Sequence, residues 1–412
     1  PSRGDALRLR PTCSRTDAMA LVLTEEEQML SEAAAGFLSE KASTAALRAL
    51  RDQGDEQAYD TQVWQEMVEM GWASIAIPEA YGGLGYGYTG LGVVLEQVGR
   101  NLSASPLEGS VLIGATALLT LGSEAQKSEW LPHIAAGEAQ VSLALQEDAT
   151  FQPAAVRLKA ERHGEGWRLS GTKRMVPDAL TADAFVVIAR TGGGGSASGG
   201  ASGGASGGET SDPTGLSAFV VPASVAGLAR QRCELVDSRQ YGALTFENVE
   251  LGADALMGDE GAAWEPLQRC LDIAAVGTAA ELLGLSLEAF ERTMAYLRER
   301  KQFGRVIGSF QGLQHRAAAL FADLELARSI VLKALQAIDA DSDDLPMLAS
   351  AAKAKLCEVA KTASNEGIQM HGGIGMTDEY DIGFFLKRAR VLQHLMGDYY
   401  YHLDRFARLG AY

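Results

Sequence analysis

Cysteine and basic residues are scarce in this sequence, and each shortage excludes a class of protein. The four cysteines are scattered over 412 residues without a C-x-x-C pair, so we expect neither a disulfide scaffold nor a zinc ribbon, but reduced thiols in a cytoplasmic protein. The 36 Lys and Arg residues stand against 53 Asp and Glu residues, which gives a net charge of −17. Phosphate backbones attract basic faces, so we expect no nucleic acid and no anionic membrane surface as a partner.

Long apolar runs and metal-binding patterns are missing as well. The longest apolar candidate, residues 271–287, carries Asp272 and Glu281, so no membrane span is expected. The six histidines form no H-x-x-x-H or H-E-x-x-H pattern, and no metal site is predicted. What is present is an ordinary soluble composition, with 47% apolar and 22% charged residues.

The chain is too long for one hydrophobic core, and its sequence pattern changes twice. Helical periodicity fills the first 140 residues and includes a capping-box pair, Thr24 and Glu27. Short segments rich in β-branched and aromatic residues follow, which is typical of a small antiparallel sheet, and long helical patterns then return. We predict an α+β protein with a flexible extension (1–18), an N-terminal helical domain (19–140), a β-domain (141–258) and a C-terminal helical bundle (259–412).

One segment of the predicted β-domain has an unusual composition. Residues 192–208 are only Gly, Ala and Ser. Such a segment cannot bury enough apolar surface to offset the entropy lost on ordering. We therefore predict a disordered loop that joins two strands.

Two segments carry groups that suit a nucleotide. Arg300 and Gln311 flank a break between two long helical patterns; a guanidinium can donate a forked pair of hydrogen bonds to a phosphate, and an amide can bond a ribose or a base edge. Residues 371–375 read His-Gly-Gly-Ile-Gly after a helix, whereas a dinucleotide fingerprint follows a strand. From residue chemistry alone, a surface arginine at a helix break and a simple helix–helix turn remain open alternatives.

Five stretches occur in the order and spacing of one protein family. They are G-W-A-S-I-A-I-P-E-A-Y-G-G (71–83), G-S-E-A-Q-K (122–127), G-T-K (171–173), Y-L-R-E-R-K-Q-F-G-R-V-I-G-S-F-Q (296–311) and Q-M-H-G-G-I-G (369–375). Together they resemble the acyl-CoA dehydrogenase family over about residues 21–409. The segments T-D-E (377–379), K-R (387–388) and G-D (397–398) are most similar to partner-type subunits of that family, such as the small subunit of pimeloyl-CoA dehydrogenase.

The resemblance implies a fold and a cofactor. The fold is a helical N-terminal domain, a small antiparallel β-domain and a C-terminal four-helix bundle, with FAD lying across a subunit interface. One chain holds the isoalloxazine ring against its β-domain, and the neighbour's helices hold the adenosine diphosphate half. Carried over by position, the neighbour-facing FAD contacts of this chain are Arg300, Gln302, Phe310, Gln311, Gln369, Gly372 and Gly373.

On the isoalloxazine side the sequence departs from the family pattern. Gln146 stands where the family's Thr-Glu-Pro segment begins, and Met175-Val176-Pro177 stand where the family has Trp-x-Thr. Pro177 has neither a hydroxyl nor an N–H to donate to the flavin. The resemblance therefore leaves Gln146, the thioether of Met175 over a ring face, and the backbone N–H of Val176 as the expected flavin contacts.

The catalytic base departs from the pattern too. In this family a Glu removes the α-proton while the β-hydride passes to the flavin. The two positions that carry this Glu in the family align with Gly397 and Ala274, and neither side chain can accept a proton. Asp398 and Asp272 lie close by and would substitute only if the backbone shifts. Asp398 is the candidate catalytic residue, and a helix-end or solvated carboxylate is the alternative interpretation of both.

These implications define the expected function. The chain is predicted to be an FAD-dependent acyl-CoA dehydrogenase that oxidises the α,β bond of an acyl-CoA thioester, with an electron-transfer flavoprotein or similar acceptor as partner. It is expected to form a homotetramer or a two-plus-two heterotetramer. The alternative is a catalytically weak partner subunit that completes FAD sites in a hetero-oligomer. A flavin monooxygenase of the same fold is a third interpretation, and no motif names a hydroxylation substrate.

Overall fold

The computed structural model describes residues 21–54, 58–192 and 212–412. The predicted flexible extension (1–18) lies outside these residues. So does the predicted disordered loop, apart from Gly192. Both predictions therefore stay predictions.

The N-terminal part of the chain is helical, as its periodicity predicts. Thr24 begins the first helix with a complete capping box, because its hydroxyl accepts the Glu27 N–H while the Glu27 carboxylate accepts the Thr24 N–H. The helices are α1 (Glu25–Lys41), α2 (Thr44–Gln53), α3 (Thr61–Glu69), α4 (Tyr88–Asn101), a π-helix (Leu107–Gly114), α5 (Ala115–Leu121) and α6 (Glu124–Ala135).

The β-domain is an eight-stranded sheet in the described residues, with strand order β6-β7-β3-β2-β4-β5-β8 and with β1 added beside β4. Its pairs are antiparallel except those of β4 with β1 and with β2. The predicted antiparallel sheet therefore includes two parallel pairs, both at β4, which the chain reaches only after crossing over through β2 and β3. The strands are β1 (Val141–Ala144), β2 (Lys159–His163), β3 (Gly166–Pro177), β4 (Ala184–Arg190), β5 (Leu216–Pro222), β6 (Leu228–Cys233), β7 (Tyr241–Leu251) and β8 (Leu256–Met257).

Long helices form the C-terminal bundle, joined at one point by a short hairpin. They are α7 (Trp264–Glu299), α8 (Gln311–Asp339), α9 (Leu345–His371), α10 (Ile382–His394) and α11 (Tyr399–Leu409), and the hairpin strands are β9 (Lys301–Gln302) and β10 (Arg305–Val306). The apolar spacing of the sequence predicts one helix over residues 381–409. The structure breaks it between α10 and α11, because Met396 and Gly397 adopt positive φ angles of 56° and 100°.

Helix α7 is the centre of the core. It packs against α4 of the N-terminal part and against α8, α9 and α10 of the bundle. Its length and composition would allow it to cross a membrane, but its most apolar window is entirely buried inside the protein, as in the core helix of a soluble protein. One apolar core is therefore continuous between the N-terminal helices and the bundle, and the β-sheet has a second core of its own.

Helix α4 begins without a side-chain cap of its own. Its N-cap residue is Gly87, and the carboxylate of Asp339, at the end of α8, accepts the N–H groups of Tyr88 and Thr89 at 2.6 and 2.9 Å. The Thr89 hydroxyl donates to the same carboxylate at 2.5 Å. A residue 250 positions away thus takes the place of a local cap and joins the bundle to the N-terminal part.

Candidate flavin and substrate site

The hairpin between α7 and α8 presents the predicted phosphate and ribose contacts to solvent. Arg300 ends α7, Gln302 lies on β9 and Gln311 begins α8, and all three are exposed. Phe310 is half-buried beneath the guanidinium of Arg305, which lies 4.0 Å from the ring centroid. The structure therefore arranges a cation, two amides and an aromatic ring around one helix break, and one of these amides, that of Gln302, donates to the neighbouring Lys301 carbonyl at 2.9 Å.

The end of α9 lies beside this hairpin. The rings of Tyr296 and His371 stack with centroids 4.4 Å apart, and the Tyr296 hydroxyl donates to the His371 carbonyl at 3.3 Å. Tyr296 is one helical turn before Arg300, and Gln369 is two residues before His371. The stack thus brings both predicted segments to one end of the bundle, which we call the nucleotide-facing end (residues 300–311 and 369–373).

Two glycines at the nucleotide-facing end leave its backbone accessible. Gly372 ends α9 at φ +67°, which explains glycine there as a helix C-cap. A Cβ built on Gly372 or Gly373 would meet no described atom within 4 Å. The positive φ of Gly372 is therefore explained by the turn that follows α9, and the backbone at both glycines also leaves open space for a ligand. Open backbone beside an exposed cation and amides fits the adenosine diphosphate half of FAD.

The predicted isoalloxazine side of the site fits a flavin ring less well than the nucleotide-facing end fits the adenosine diphosphate half. The Gln146 side-chain amide donates to the Asp148 carbonyl at 2.8 Å, so this donor is used within the loop. Met175 is half-buried at φ +53° in a bulge of β3, and Val176 is buried opposite Gly242 of β7. The one polar group of Pro177, its carbonyl, accepts the Ser142 hydroxyl at 2.6 Å. Of the expected ring contacts, the Gln146 amide is thus engaged within its loop and Val176 is paired in the sheet, which leaves the half-buried Met175 side chain as the contact for a ring face.

The two family base positions cannot carry a glutamate as they stand. A Cβ built on Gly397 would lie 2.5 Å from Tyr401 Cδ1 and 2.9 Å from His402 Nε2. Ala274 is fully buried inside α7. A carboxylate at position 397 would therefore require both Tyr401 and the backbone to move.

The neighbouring carboxylates are engaged in structural contacts. Asp398 is the N-cap of α11, and its carboxylate accepts the Tyr401 N–H at 2.9 Å. Asp272 forms a two-point ion pair with Arg405, with the longer contact at 2.9 Å. Burial raises the pKa of Asp272, and Arg405 opposes that rise. In this arrangement both carboxylates contact groups of the chain itself.

An aromatic pair connects the ring side with the base side. Phe151, in the loop that begins at Gln146, packs edge-to-face on Tyr401 with centroids 5.0 Å apart. The space beneath the pair is about 10 Å³ and is lined also by Asp272, Met396 and Arg405. The two sides between which a thioester would react are therefore already in contact.

Sequence reasoning missed a buried lysine behind the base position. Lys353 of α9 is fully buried, and its ammonium donates to the Gly397 carbonyl at 2.8 Å and to the Gln393 carbonyl at 3.3 Å. The sequence contains a signal that this lysine is buried, because Lys353 follows Ala349 by four residues on the apolar stripe that continues to Leu356. Lys353 fixes the turn that precedes α11.

Sequence reasoning also missed a buried charge network. Arg239 pairs with Glu108 and Glu281, and Arg388 pairs with Glu281 at 3.4 Å and with Asp237 at 2.7 Å. These residues come from the π-helix, the loop before β7, α7 and α10. No local pattern could predict the network, because it exists only once these elements pack.

Comparison with known proteins agrees with this geometry. The model of the acyl-CoA dehydrogenase N-terminal domain matches residues 24–138, and that of the C-terminal domain matches residues 261–409. A probable acyl-CoA dehydrogenase of Bacillus subtilis, YngJ, is 30% identical over 383 residues, which is 91% of this chain and 95% of that protein. The chain belongs to the acyl-CoA dehydrogenase family, whose members are FAD-binding oxidoreductases.

Two solved structures extend the comparison. A variant of the steroid ACAD Tcur3481–Tcur3483 matches with a TM-score of 0.81 at 30% identity, covering 94% of this chain and 98% of that one. A chain of the ChsE4–ChsE5 complex of Mycobacterium tuberculosis matches with a TM-score of 0.81 at 25% identity, covering 95% of this chain and 99% of that one. The acyl-CoA dehydrogenase fold expected from the sequence is thus confirmed.

Proposed function

We propose that this chain is a subunit of an FAD-dependent acyl-CoA dehydrogenase and that it completes FAD sites on a different subunit. In that assembly the α,β bond of an acyl-CoA thioester is oxidised, and bound FAD supplies the hydride acceptor. The role of this chain is to hold the adenosine diphosphate half through its nucleotide-facing end. Its own base and ring site contribute weakly or not at all.

One observation carries the proposal: both carboxylates near the family base positions have structural roles. Asp398 caps α11 and Asp272 is paired with Arg405. Releasing either would leave a helix N–H or a largely buried guanidinium without its partner, which costs about 1–3 kcal/mol. The loss of a positioned base typically lowers a rate by about 10²–10⁴-fold.

The two halves of the flavin site support the same assignment of roles, in which this chain holds the adenosine diphosphate half and a partner subunit carries the reaction. The nucleotide-facing end keeps an exposed Arg300 and open glycines. The ring side has Pro177 in place of a donor and the Phe151–Tyr401 pair across the crevice. A chain that serves its neighbour's FAD needs only the first half.

The comparisons offer support of a weaker kind. Two of the similar structures are each named after two proteins, the Tcur3481–Tcur3483 steroid ACAD and the ChsE4–ChsE5 complex. By analogy we propose a two-plus-two heterotetramer, of the partner type represented by the small subunit of pimeloyl-CoA dehydrogenase. An electron-transfer flavoprotein is the proposed acceptor, and the cytoplasm is the proposed location.

A second candidate function is a chain that is catalytic in its own homotetramer. Asp398 favours it, because this carboxylate is half-buried and directly follows the family base position. A rearrangement of the first turn of α11 would free Asp398 to take the α-proton. The same experiment distinguishes the two functions.

The test is to express the chain alone and to assay it with a series of acyl-CoA thioesters and an artificial electron acceptor. The partner role predicts poor flavin loading and negligible turnover, both restored when the chain is co-expressed with a family member that carries the glutamate. Full loading and rapid turnover of the chain alone would refute it. Loss of that turnover in Asp398→Asn, but not in Asp404→Asn, would identify Asp398 as the base, since among the described residues the ion pair of Asp404 is with Arg408, on the exposed side of α11.

A further inference from the structure

A polar chamber lies between the N-terminal helices, the β-domain and the bundle. It encloses about 30 Å³ where the start of the π-helix, the end of β3, the start of β7 and α10 meet. Its charged and phenolic wall residues include Glu108, Asp178, Arg239, Tyr241 and Arg388. An outer cleft of about 320 Å³ between α2 and β6 shares a wall with the chamber and opens beside the exposed residues Gly54 and Glu234.

When all its carboxylates are ionised, negative charge exceeds positive charge around the chamber. Three carboxylates alternate with two guanidinium groups in a chain of ion pairs, Asp237–Arg388–Glu281–Arg239–Glu108. The carboxylate of Asp178 is a fourth, and it forms no ion pair with any described residue. Buried charges are tolerated when they are paired, so this arrangement is short of cations.

The chamber wall also contains polar atoms without partners. Among the described residues, two oxygens, Asp178 Oδ2 and Tyr241 Oη, and one nitrogen, Arg388 Nη2, are buried and have no hydrogen-bond partner. A Cβ built on Gly109 would collide with Asp178 Oδ2, so that oxygen lies directly over this glycine in the chamber wall. Asp178 adopts φ +50°, a backbone conformation that costs about 1–3 kcal/mol and that occurs often at binding sites.

We propose that the polar chamber binds the ammonium group of a small organic cation, with Asp178 as its counter-ion and Tyr241 as a hydrogen-bond acceptor. An ammonium group brings one positive charge and several N–H donors for Asp178 Oδ2 and Tyr241 Oη, whereas the unpartnered Arg388 Nη2 belongs to a guanidinium whose charge is already paired with Asp237 and Glu281. In the part of the chain that the structure describes, no three acidic, histidine or cysteine side chains are grouped as metal ligands. A site for one water needs about 10–15 Å³, so the chamber has room for an ammonium with a methyl group.

Protonation of the carboxylates in the chamber wall makes this binding depend on pH. Burial raises the pKa of Asp178 to about 7, against the opposing charge of Arg239, and raises the pKa of Glu108 to about 8. A bound cation favours the ionised carboxylate and displaces its proton, so affinity increases with pH. For one displaced proton with a pKa near 7, the increase from pH 6 to pH 8 is about tenfold. The titratable and charged groups that face Asp178 and Glu108 are Tyr59, Asp237, Arg239, Tyr241, Glu281 and Arg388.

The experiment titrates methylammonium chloride into the full chain at constant ionic strength and measures heat and melting temperature. Tetramethylammonium, which has no N–H and is larger than the chamber, is the control salt. We expect saturable binding of methylammonium only, about tenfold tighter at pH 8 than at pH 6. Asp178→Asn should abolish binding and Tyr241→Phe should weaken it several-fold. Glu247→Gln, an exposed carboxylate of β7, should change nothing.

The inference does not depend on whether the chain is catalytic. Equal responses to the two cations, or binding that weakens as the pH rises, would overturn it. So would unchanged affinity in a folded Asp178→Asn variant. If that variant does not fold, Tyr241→Phe is the deciding test, because it removes one hydroxyl and leaves the ring. Wild-type affinity for methylammonium in Tyr241→Phe would contradict the proposal.

Discussion

At the scale of single residues, two glycines of the bundle differ sharply in what their positions demand. Gly397 has φ +100°, and a Cβ there would press on Tyr401 and His402. Gly383 is the second residue of α10, where a Cβ would meet no described atom within 4 Å. The same substitution should therefore have opposite effects at the two positions.

We expect Gly397→Ala to lower the free energy of unfolding by about 1–3 kcal/mol, through backbone strain and the contact with Tyr401. The matched variant Gly383→Ala should raise it by about 0.5–1 kcal/mol, because alanine is the better helix former. Urea unfolding followed by circular dichroism measures both. Equal effects of the two variants would show that the turn at 397 is not constrained as described.

Asp178 gives a prediction about pH. Burial raises its folded-state pKa to about 7, above its ordinary unfolded value near 3.9. The unfolded chain therefore loses this proton first, and the ionisable Asp178 lowers stability progressively as the pH rises from about 4 to 7. Asp178→Asn should be increasingly more stable than wild type over that range, by up to about 4 kcal/mol. A stability difference between the two proteins that is constant from pH 4 to pH 8 would contradict the assignment.

At the scale of elements, the start of α4 depends on the end of α8. Asp339→Ala would leave the N–H groups of Tyr88 and Thr89 without their acceptor, and we expect a loss of about 1–2 kcal/mol in the free energy of unfolding. Asp341→Asn is the matched control, because asparagine tolerates the positive φ of 49° at this position. Asp341 is highly exposed, and among the described residues its ion pair is with Arg269, so the loss of its charge should cost less than about 1 kcal/mol. Similar costs in denaturant titrations would show that Asp339 does not cap α4.

The elements also show where sequence reasoning succeeds and where it stops. The capping box at Thr24 and the single long helix α7 follow from local spacing, and the structure has both. The break before α11 does not follow, because the apolar spacing continues across it. Lys353, which holds the Gly397 carbonyl, and the positive φ of Gly397 are consequences of packing between α9 and the turn.

At the scale of the whole molecule, the nucleotide-facing end should act only in an assembly. In the complex with a partner that carries the glutamate, we expect Arg300→Ala to weaken flavin retention by about tenfold or more, because a charge-assisted phosphate contact is lost. Arg298→Ala, an exposed arginine of the last turn of α7, should leave retention unchanged. Flavin absorbance across a dilution series measures both. Equal retention in wild type and Arg300→Ala would contradict the contact.

The whole-molecule arrangement also explains why the site could be predicted only in part. The contacts at the nucleotide-facing end lie in two short segments, so a family resemblance locates them. The ion pairs around the polar chamber join residues as far apart as Asp237 and Arg388, and the Phe151–Tyr401 contact joins the β-domain to α11. Such pairs form only when separate elements pack, and composition and periodicity carry no information about them.

The turn at Gly397 limits how this chain could acquire activity by mutation. Installing a glutamate there by one substitution would strain a left-handed backbone and collide with Tyr401, so the first step would cost stability before any gain in rate. Replacing Tyr401 by a smaller residue first would remove the contact with Phe151 and would again provide no catalytic base. A library of single substitutions at position 397, selected for turnover, should therefore yield no active clone, whereas a library that varies positions 397 and 401 together contains a route to one.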